Sequence, residues 1–380
     1  MSVPPASAAR AAAPGRVVAI RPRAGRHARC HERITLVRLA ERIAALLPGR
    51  YVGECGGPLT GTVFLLPEDT LLASEATALG VHGADDLYGG VVPRAFIATK
   101  VISHPALRPE APVPAGWSHA LAARLGDTVL PGYAVFDPDA ARRACRKLLA
   151  AGPVRIKPAR GIGGSGQLPV RHADELDAAI AGLALDELLA HGASVEQHLD
   201  EVVTYSIGEA ELAGLRIGYC GVQRQTRNRH GDSVYGGTQL RVLRGGFDAL
   251  IAAGNDPHER GAIRQARDFD AAVIAAFPGV FASRRNYDVL LGRDREGRLR
   301  SGVLEQSWRL GGATPAELAA FEAFAADPAL AEVHASSHEI HALVDPPPDA
   351  TVYFRGIDPV VGALTKYSRR QAHGHRAGDD

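Results

Sequence analysis

The sequence predicts a parallel α/β layer followed by a largely antiparallel α+β region, and three observations carry this. Residues 16–80 alternate short apolar runs with amphipathic segments, in the order strand, helix, strand, helix. Residues 194–243 divide into strand-like runs joined by tight turns, the texture of an antiparallel sheet. Residues 286–308 fold back about "RDREGR" as a β-hairpin.

In chain order, "RVVAI" (16–20) is a short buried strand. "HERITLVRLAERIAALL" (31–47) carries Ile34, Leu36, Val37, Leu39, Ile43 and Leu46 at helical spacing, so it presents one apolar face. "GTVFLLP" (61–67) is a second strand, and "EDTLLASEATALG" (68–80) is expected to be a helix. "DDLYGGVVPRAFIATKVISHP" (85–105) closes this region. Residues 106–118, rich in Pro and Ala, read as a connector or lid loop. "LPGYAVF" (130–136) is a strand. "DPDAARRACRKLLAAG" (137–152) is a helix with Asp137 as N-cap, Pro138 in its first position and Gly152 at its end. "PVRIKPA" (153–159) is a strand, and "HADELDAAIAGLAL" (172–185) is a helix. "SVEQHL" (194–199), 204–214, 216–226 and 238–243 are strands; 256–277 is a long helix. "QRQTRNRHGDSVYGG" (223–237) reads as a loop holding Arg224, Arg227, Arg229 and His230, cations suited to a carboxylate substrate. Arg284 and Arg285 are second candidates for that role, and His82 and His104 read as ordinary surface or satisfied histidines. Beyond 316 only "TVYFRG" (351–356) reads as a strand, before a basic, frayed tail.

The bulk numbers exclude several classes. With 380 residues, 46% hydrophobic and 22% charged, the chain has material for two to three domains and an ample core. A formal net charge of +1 gives no global field for nucleic acid or a membrane surface. No run approaches the roughly 20 apolar residues of a membrane span, and the N-terminal segment lacks the apolar core of a secretory signal. Cys30, Cys55, Cys145 and Cys220 lie far apart with no C-x-x-C pair, which points to reduced thiols and a cytoplasmic protein.

Lysine usage singles out one stretch. Of 43 Lys and Arg residues only Lys100, Lys147, Lys157 and Lys366 are lysines. Lys157 ends the apolar run of "VRIKPARGIGGSGQ" (154–167), just before Gly161, Gly163, Gly164, Ser165 and Gly166. Glycines let backbone N–H groups approach phosphate oxygens, and a compact ammonium supplies a point charge. The lysine precedes the glycines, so this is not a Walker A loop. "GIGGSG" has Rossmann spacing but no early βαβ context. In the hairpin, Asp288 and Glu305 lie 17 residues apart on strands that pair. Glu305, Ser307 and Arg309 share a side of an extended segment because side chains alternate. Two carboxylates, a hydroxyl and an Arg suit Mg²⁺ held together with phosphates. In "VEQHL", Glu196 at a buried strand end is a candidate acceptor for an adenine amino group.

Lysine, glycine loop, Glu hinge, then Asp and E-x-S-x-R, in that order, resemble the ATP-grasp superfamily over roughly residues 17 to 315. "VRIKPARGIGGSGQ" is similar to the corresponding segment of D-alanine–D-alanine ligases and biotin carboxylases. The resemblance implies an ATP-grasp fold preceded by a small parallel α/β domain. It divides the chain into a disordered tail (1–16), the preceding domain (17–120), an N-terminal subdomain with the glycine loop (121–203), a C-terminal subdomain with the metal site (204–325) and an extension (326–380).

The resemblance implies ATP with Mg²⁺ (or Mn²⁺) as cofactors. Lys100 and Lys157 would face the phosphates under the glycine flap. Glu196 and the backbone near His198 and Leu199 would receive adenine, and Asp200 or Glu201 the ribose. Asp288, Glu305 and Ser307 would be metal ligands, with Ser307 standing where the family has Asn, and Arg309 would hold a phosphate or acyl oxygen. The implied activity is a ligase that activates a carboxylate as an acylphosphate for attack by an amine or thiol. The partners would be small-molecule carboxylates and amines, and the protein a possible homodimer. A phosphotransferase on the same fold, or a non-catalytic nucleotide-binding protein, are the alternatives.

Overall fold

The computed structural model describes residues 16–23, 30–161, 166–254 and 256–371. The tail expected at 1–16 therefore lies, up to residue 15, outside the described residues, as do Gly163, Gly164, Ser165 and the last nine residues.

The chain opens with β1 (Arg16–Arg21), α1 (His31–Leu46), β2 (Gly49–Glu54) and β3 (Val63–Pro67). These strands make a parallel sheet in the order β2-β1-β3, and the buried face of α1 (Leu36, Leu39, Ile43) covers it. The helix expected over 68–80 is shorter. Leu71–Leu72 form β4, which pairs in parallel with β5 (Gly90–Val92), and α2 spans only Ala73–Ala78. The Glu75 carboxylate accepts from Leu72 N at 2.9 Å and so starts the helix there. Short 3₁₀ turns at Ala95–Ala98 and Lys100–Ser103 follow, then α3 (His119–Leu125).

The second layer holds β6 (Gly132–Val135), α4 (Pro138–Leu149), β7 (Val154–Pro158), β8 (Leu168–Val170), α5 (Leu176–Ala181), α6 (Leu185–His191) and β9 (Ala193–Gln197). The Asp137 carboxylate caps α4 by accepting from Ala140 N at 2.7 Å, with Pro138 in the first position. The expected single helix over 172–185 is instead a 3₁₀ turn, α5 and, after a break at Gly182, α6. The sheet order is β6-β9-β7-β8, so Lys157 on β7 and Glu196 on β9 belong to neighbouring strands.

The third layer is an eight-stranded sheet in the order β15-β14-β10-β11-β12-β16-β18-β17. It begins with β10 (Asp200–Leu212), β11 (Leu215–Arg227) and β12 (Ser233–Arg244), followed by α7 (Phe247–Ala253) and α8 (Pro257–Ala276). A two-residue strand, β13 (Phe281–Ala282), pairs with β5. The hairpin is β14 (Arg284–Arg293) and β15 (Leu299–Ser307), and after it come α9 (Thr314–Ala326), β16 (Glu332–Ile340), β17 (Thr351–Asp358) and β18 (Gly362–Arg370). One core joins α1, α9 and the N-terminal sheet to this sheet through Leu39, Ile43, Phe64, Tyr219, Val242, Phe321 and Phe324. A second core packs α8 through Phe269 and Val273 against Ile207, Tyr287 and Val303. By area burial, each such large side chain contributes about 1.5–3 kcal/mol.

Two expectations are corrected here. The stretch 223–237 is not a loop: β11 and β12 run through it as an antiparallel ladder with a turn near Asn228–Gly231. The region past 326 is not an appendage with a single strand, and the frayed tail expected at its end lies, past residue 371, outside the described residues. β16, β17 and β18 extend the main sheet, with β16 on β12 and β18 on β16, as far as Arg370.

Candidate functional site

A cleft of about 1080 Å³ runs across one face of the main sheet. Lys157, Glu196, His198 and Leu199 line one end; Asp288, Glu305, Ser307 and Arg309 line the middle. These predicted residues are thus brought to one cleft, from two different sheets.

Each is placed by its ladder. Asp288 on β14 lies directly opposite Glu305 on β15. Directly opposed carboxylates repel. Burial, then Glu305, pushes the Asp288 pKa up to about 6, against partial relief from Gln223 and Asn286. Immediately past this pair the register slips, because β15 spends the extra residue Leu304 before Val303 meets Val289. The freed Leu304 carbonyl accepts from Lys157 Nζ at 3.2 Å.

Glu305 also touches Lys100 Nζ at 2.5 Å, and Lys100 donates to the Gly161 carbonyl at 2.7 Å. Burial alone would raise the Glu305 pKa; the Lys100 ammonium outweighs it and lowers it. Lys100 is fixed from behind. Gln306 Nε2 donates to the Ile97 and Thr99 carbonyls at 2.9 Å each, and Ser194 Oγ donates to the Lys100 carbonyl at 3.1 Å. The 3₁₀ turn carrying Lys100 is thereby bound to both sheets.

Glu196 lies between two partners. One carboxylate oxygen meets Lys157 Nζ at 2.7 Å, and the other meets His104 Nε2 at 3.1 Å. All three side chains are at most 3% exposed. Burial would raise the Glu196 pKa, yet Lys157 and His104 hold it down at about 2. Burial pulls the Lys157 pKa down, and Glu196 opposes that shift. A buried charge is tolerated when paired in this way. Both oxygens of Glu196 are engaged, so here it holds Lys157 rather than presenting a free acceptor to adenine. His104, read from sequence as an ordinary histidine, is a buried member of the site. Its ring lies over Gly132, where a Cβ would come within 2.7 Å of it.

Other expected residues fall elsewhere. Glu201, at a positive φ of 49°, pairs with Arg293 Nε at 3.0 Å and is not part of the cleft wall. Asp200 lies near Arg171 and His198, at 3.4 and 3.5 Å. Neither acid faces the cleft for a ribose. Gly166 has the left-handed φ of 71° that favours glycine. Arg284 and Arg285 are not free for substrate. Arg284, 1% exposed, makes a two-pronged pair with the fully buried Glu317 at 2.9 and 2.7 Å, and it donates to the Ser307 and Arg309 carbonyls. Arg285 pairs with Asp270 at 3.1 Å. Arg284 therefore positions the segment that carries Ser307 and Arg309.

The sequence reading missed Asn286, Gln306 and Ser194. Asn286 Nδ2 donates to Asp288 at 3.0 Å, and its Oδ1 accepts from Ser206 and Tyr219 at 2.8 and 3.0 Å. Its position two residues before Asp288, hence on the same face, was the available signal.

Hard oxygen donors fit Mg²⁺. Asp288 and Glu305 supply two adjacent carboxylates whose mutual repulsion a divalent cation would relieve, with the Ser307 hydroxyl beside them on the wall. Among the described residues no cluster of three or more His, Cys, Asp or Glu side chains forms a complete protein cage, so phosphate and water oxygens would complete the shell. No described helix is long and apolar enough to cross a membrane.

Among solved structures, the chain is similar to a biotin carboxylase–β,γ-ATP complex from Campylobacter jejuni. The TM-score is 0.53 at 11% identity, covering 94% of this chain and 87% of that one. It also matches D-alanyl-alanine synthetase A from Vibrio cholerae, with TM-score 0.49, 15% identity and coverage of 80% and 90%. A third match is phosphoribosylamine–glycine ligase from Thermotoga maritima, with TM-score 0.46, 13% identity and coverage of 93% and 90%. The fold is ATP-grasp, as the sequence motifs implied. No curated protein matches this sequence. A family model spans residues 19–368, and the chain belongs to that family, described as "Protein of unknown function (DUF3182)".

Proposed function

We propose that this protein is an ATP- and Mg²⁺-dependent ligase that activates a carboxylate as an acylphosphate for attack by an amine. The observation that carries the reading is the Asp288–Glu305 carboxylate pair lining the same cleft as the buried Lys157–Glu196 ion pair. Acid repulsion awaiting a cation and a fixed ammonium awaiting phosphate are the two halves of a nucleotide site. The similarity of the fold to a biotin carboxylase–β,γ-ATP complex agrees with it.

Asp288 and Glu305, with Ser307, would hold Mg²⁺ (or Mn²⁺), which neutralises phosphate charge when bound. Lys157 cannot swing away, because Glu196 and the Leu304 carbonyl fix its head; it offers the phosphates a preorganised charge. Lys100 sits at the Gly161 carbonyl, where the glycine segment begins. Adenine would be received by the backbone at His198 and Leu199. Arg309 reaches the cleft from the segment held by Arg284 and would hold a phosphate or acyl oxygen through its fork. The γ-phosphoryl group passes to a carboxylate oxygen and ADP leaves. The amine nitrogen then bonds to the acyl carbon, phosphate departs with the C–O electron pair, and the nitrogen loses a proton.

The test is phosphate release with Mg²⁺ and ATP across paired carboxylates and amines. Release that requires both partners supports a ligase. A phosphorylated product without release indicates a phosphotransferase. Nucleotide binding with no turnover on any pair would leave a non-catalytic nucleotide-binding protein.

A further inference from the structure

The cleft does not end at the metal-type pair. Its far end is closed by the C-terminal strands and the start of α1, where His31, Glu339 and Lys366 line it. Glu339 on β16 and Lys366 on β18 are direct cross-strand partners, with Lys366 Nζ 2.9 Å from Glu339 Oε2. Their side chains are 18% and 15% exposed, so they sit in the wall without being sealed in it. Lys366 Nζ also lies 3.4 Å from His31 Nδ1. The Asp358 carboxylate holds this corner together. One oxygen accepts from His31 N at 2.7 Å, and the other from Val360 N and Val361 N in the β17–β18 turn at 2.8 and 2.9 Å.

Hydrogen-bonding capacity defines what this corner lacks. An ammonium has three donors; Lys366 uses one on Glu339 and one on His31, which leaves one. Burial, then Lys366, lowers the His31 pKa, and since an ammonium cannot accept, His31 Nδ1 is the acceptor of the Lys366 contact. With Nδ1 accepting from Lys366, Nε2 carries the remaining proton. Glu339 Oε2 is engaged and Oε1 is available. The corner thus offers two donors and one acceptor, its single ammonium set against the Glu339 carboxylate in the wall and the Asp358 carboxylate behind it. A dianion would meet Glu339, and a bare amine would meet Lys366. A molecule with a carboxylate and an amine a few ångström apart satisfies both. In a chain with only four lysines, one placed here echoes Lys157 at the opposite end of the same cleft.

We infer that His31, Glu339 and Lys366 form the binding site for an amino carboxylate, the amine-bearing substrate of the ligase, with Lys366 and His31 on its carboxylate and Glu339 on its amine. The assignment rests on the ligase reading for its place in the reaction, and on the corner's own groups for its chemistry.

The test is calorimetric binding to the full chain. Probes are the proteinogenic amino acids and β-alanine, with propionate and propylamine as single-function controls, each with and without Mg²⁺ and a non-hydrolysable ATP analogue. At least one amino carboxylate should bind, and both controls should bind at least about tenfold more weakly. Lys366→Met and Glu339→Gln should each weaken it about tenfold or more while nucleotide affinity stays within about twofold. The paired exchange Glu339→Lys with Lys366→Glu keeps a cross-strand ion pair, and so guards against misfolding; it too should lose the amino carboxylate. Nucleotide binding with no amino carboxylate bound, or binding indifferent to these substitutions, overturns the inference. Amino carboxylate binding without any nucleotide binding would sustain this site and remove the ligase reading instead.

Discussion

His104 Nε2 stands 3.1 Å from the Glu196 oxygen that does not touch Lys157, so a histidine 53 residues before Lys157 in the chain fixes a lysine it never contacts. His104→Ala is expected to leave that oxygen buried without its partner, at about 1–3 kcal/mol of stability. It should weaken ATP binding severalfold by loosening Lys157, and His104→Gln should recover part of both. A double-mutant cycle with Lys157→Met separates positioning from bulk destabilisation: the two losses in ATP affinity should fall short of additive. Additive losses would show that His104 acts on the fold alone.

Gly132→Ala tests the same contact from the other side. The added methyl would meet the His104 ring at 2.7 Å and the Val195 carbonyl at 2.8 Å. It should lower the melting temperature and ATP affinity together, whereas a change at the exposed Gly80, with open space around it, should leave ATP affinity alone.

Asp288 sets a pH signature. Its folded pKa of about 6 lies above the ordinary value of 3.8. The neutral form is favoured in the fold, so its contribution is fully present below pH 3.8 and is lost as pH rises to about 6. Above that the site carries a repelled charge pair. Asp288→Asn should therefore raise the melting temperature at pH 7 more than at pH 4. Mg²⁺–ATP affinity in the wild type should fall as pH drops through about 6. Equal effects of the substitution at both pH values would contradict this. Glu196 runs the other way: held at about 2, it stabilises above pH 4.5 and loses that contribution as pH falls towards 2.

Arg284 and Glu317 are a buried pair behind the Ser307–Arg309 segment. Removing one member leaves an uncompensated charge, so Arg284→Met should cost about 3–5 kcal/mol in urea unfolding. Arg284→Met combined with Glu317→Leu should recover much of it. A double variant no better than the single one would place the cost in lost packing.

Much of the fold was legible because its elements follow simple periods. The amphipathic α1, the capped α4, the long α8 and the β14–β15 hairpin were read from the sequence, the first two and the hairpin from spacing, cap and turn residues. Of the C-terminal strands β17 was read, but β16 and β18 escaped because their cleft-side residues are polar although they sit in the sheet: "EVHASSHEI" and "GALTKYSRR" put Glu339 and Lys366 where a core strand would put Val or Leu. α9 escaped for the opposite reason. It is buried nearly all round from Thr314 to Phe324, so no face stands out. In the site, motif order pointed to Lys157, Asp288 and Glu305. The Lys100–Glu305 and His104–Glu196 contacts bridge 205 and 92 residues of sequence and exist only once three layers meet.

Calorimetric titration of ATP with Mg²⁺ into the wild type, Lys157→Met and Glu305→Gln tests the central claim most directly. Micromolar, Mg²⁺-dependent binding that each substitution weakens at least about tenfold is the predicted result. A folded wild type that binds no ATP, or variants that bind it as well as the wild type, would contradict the assignment of this cleft as a nucleotide site.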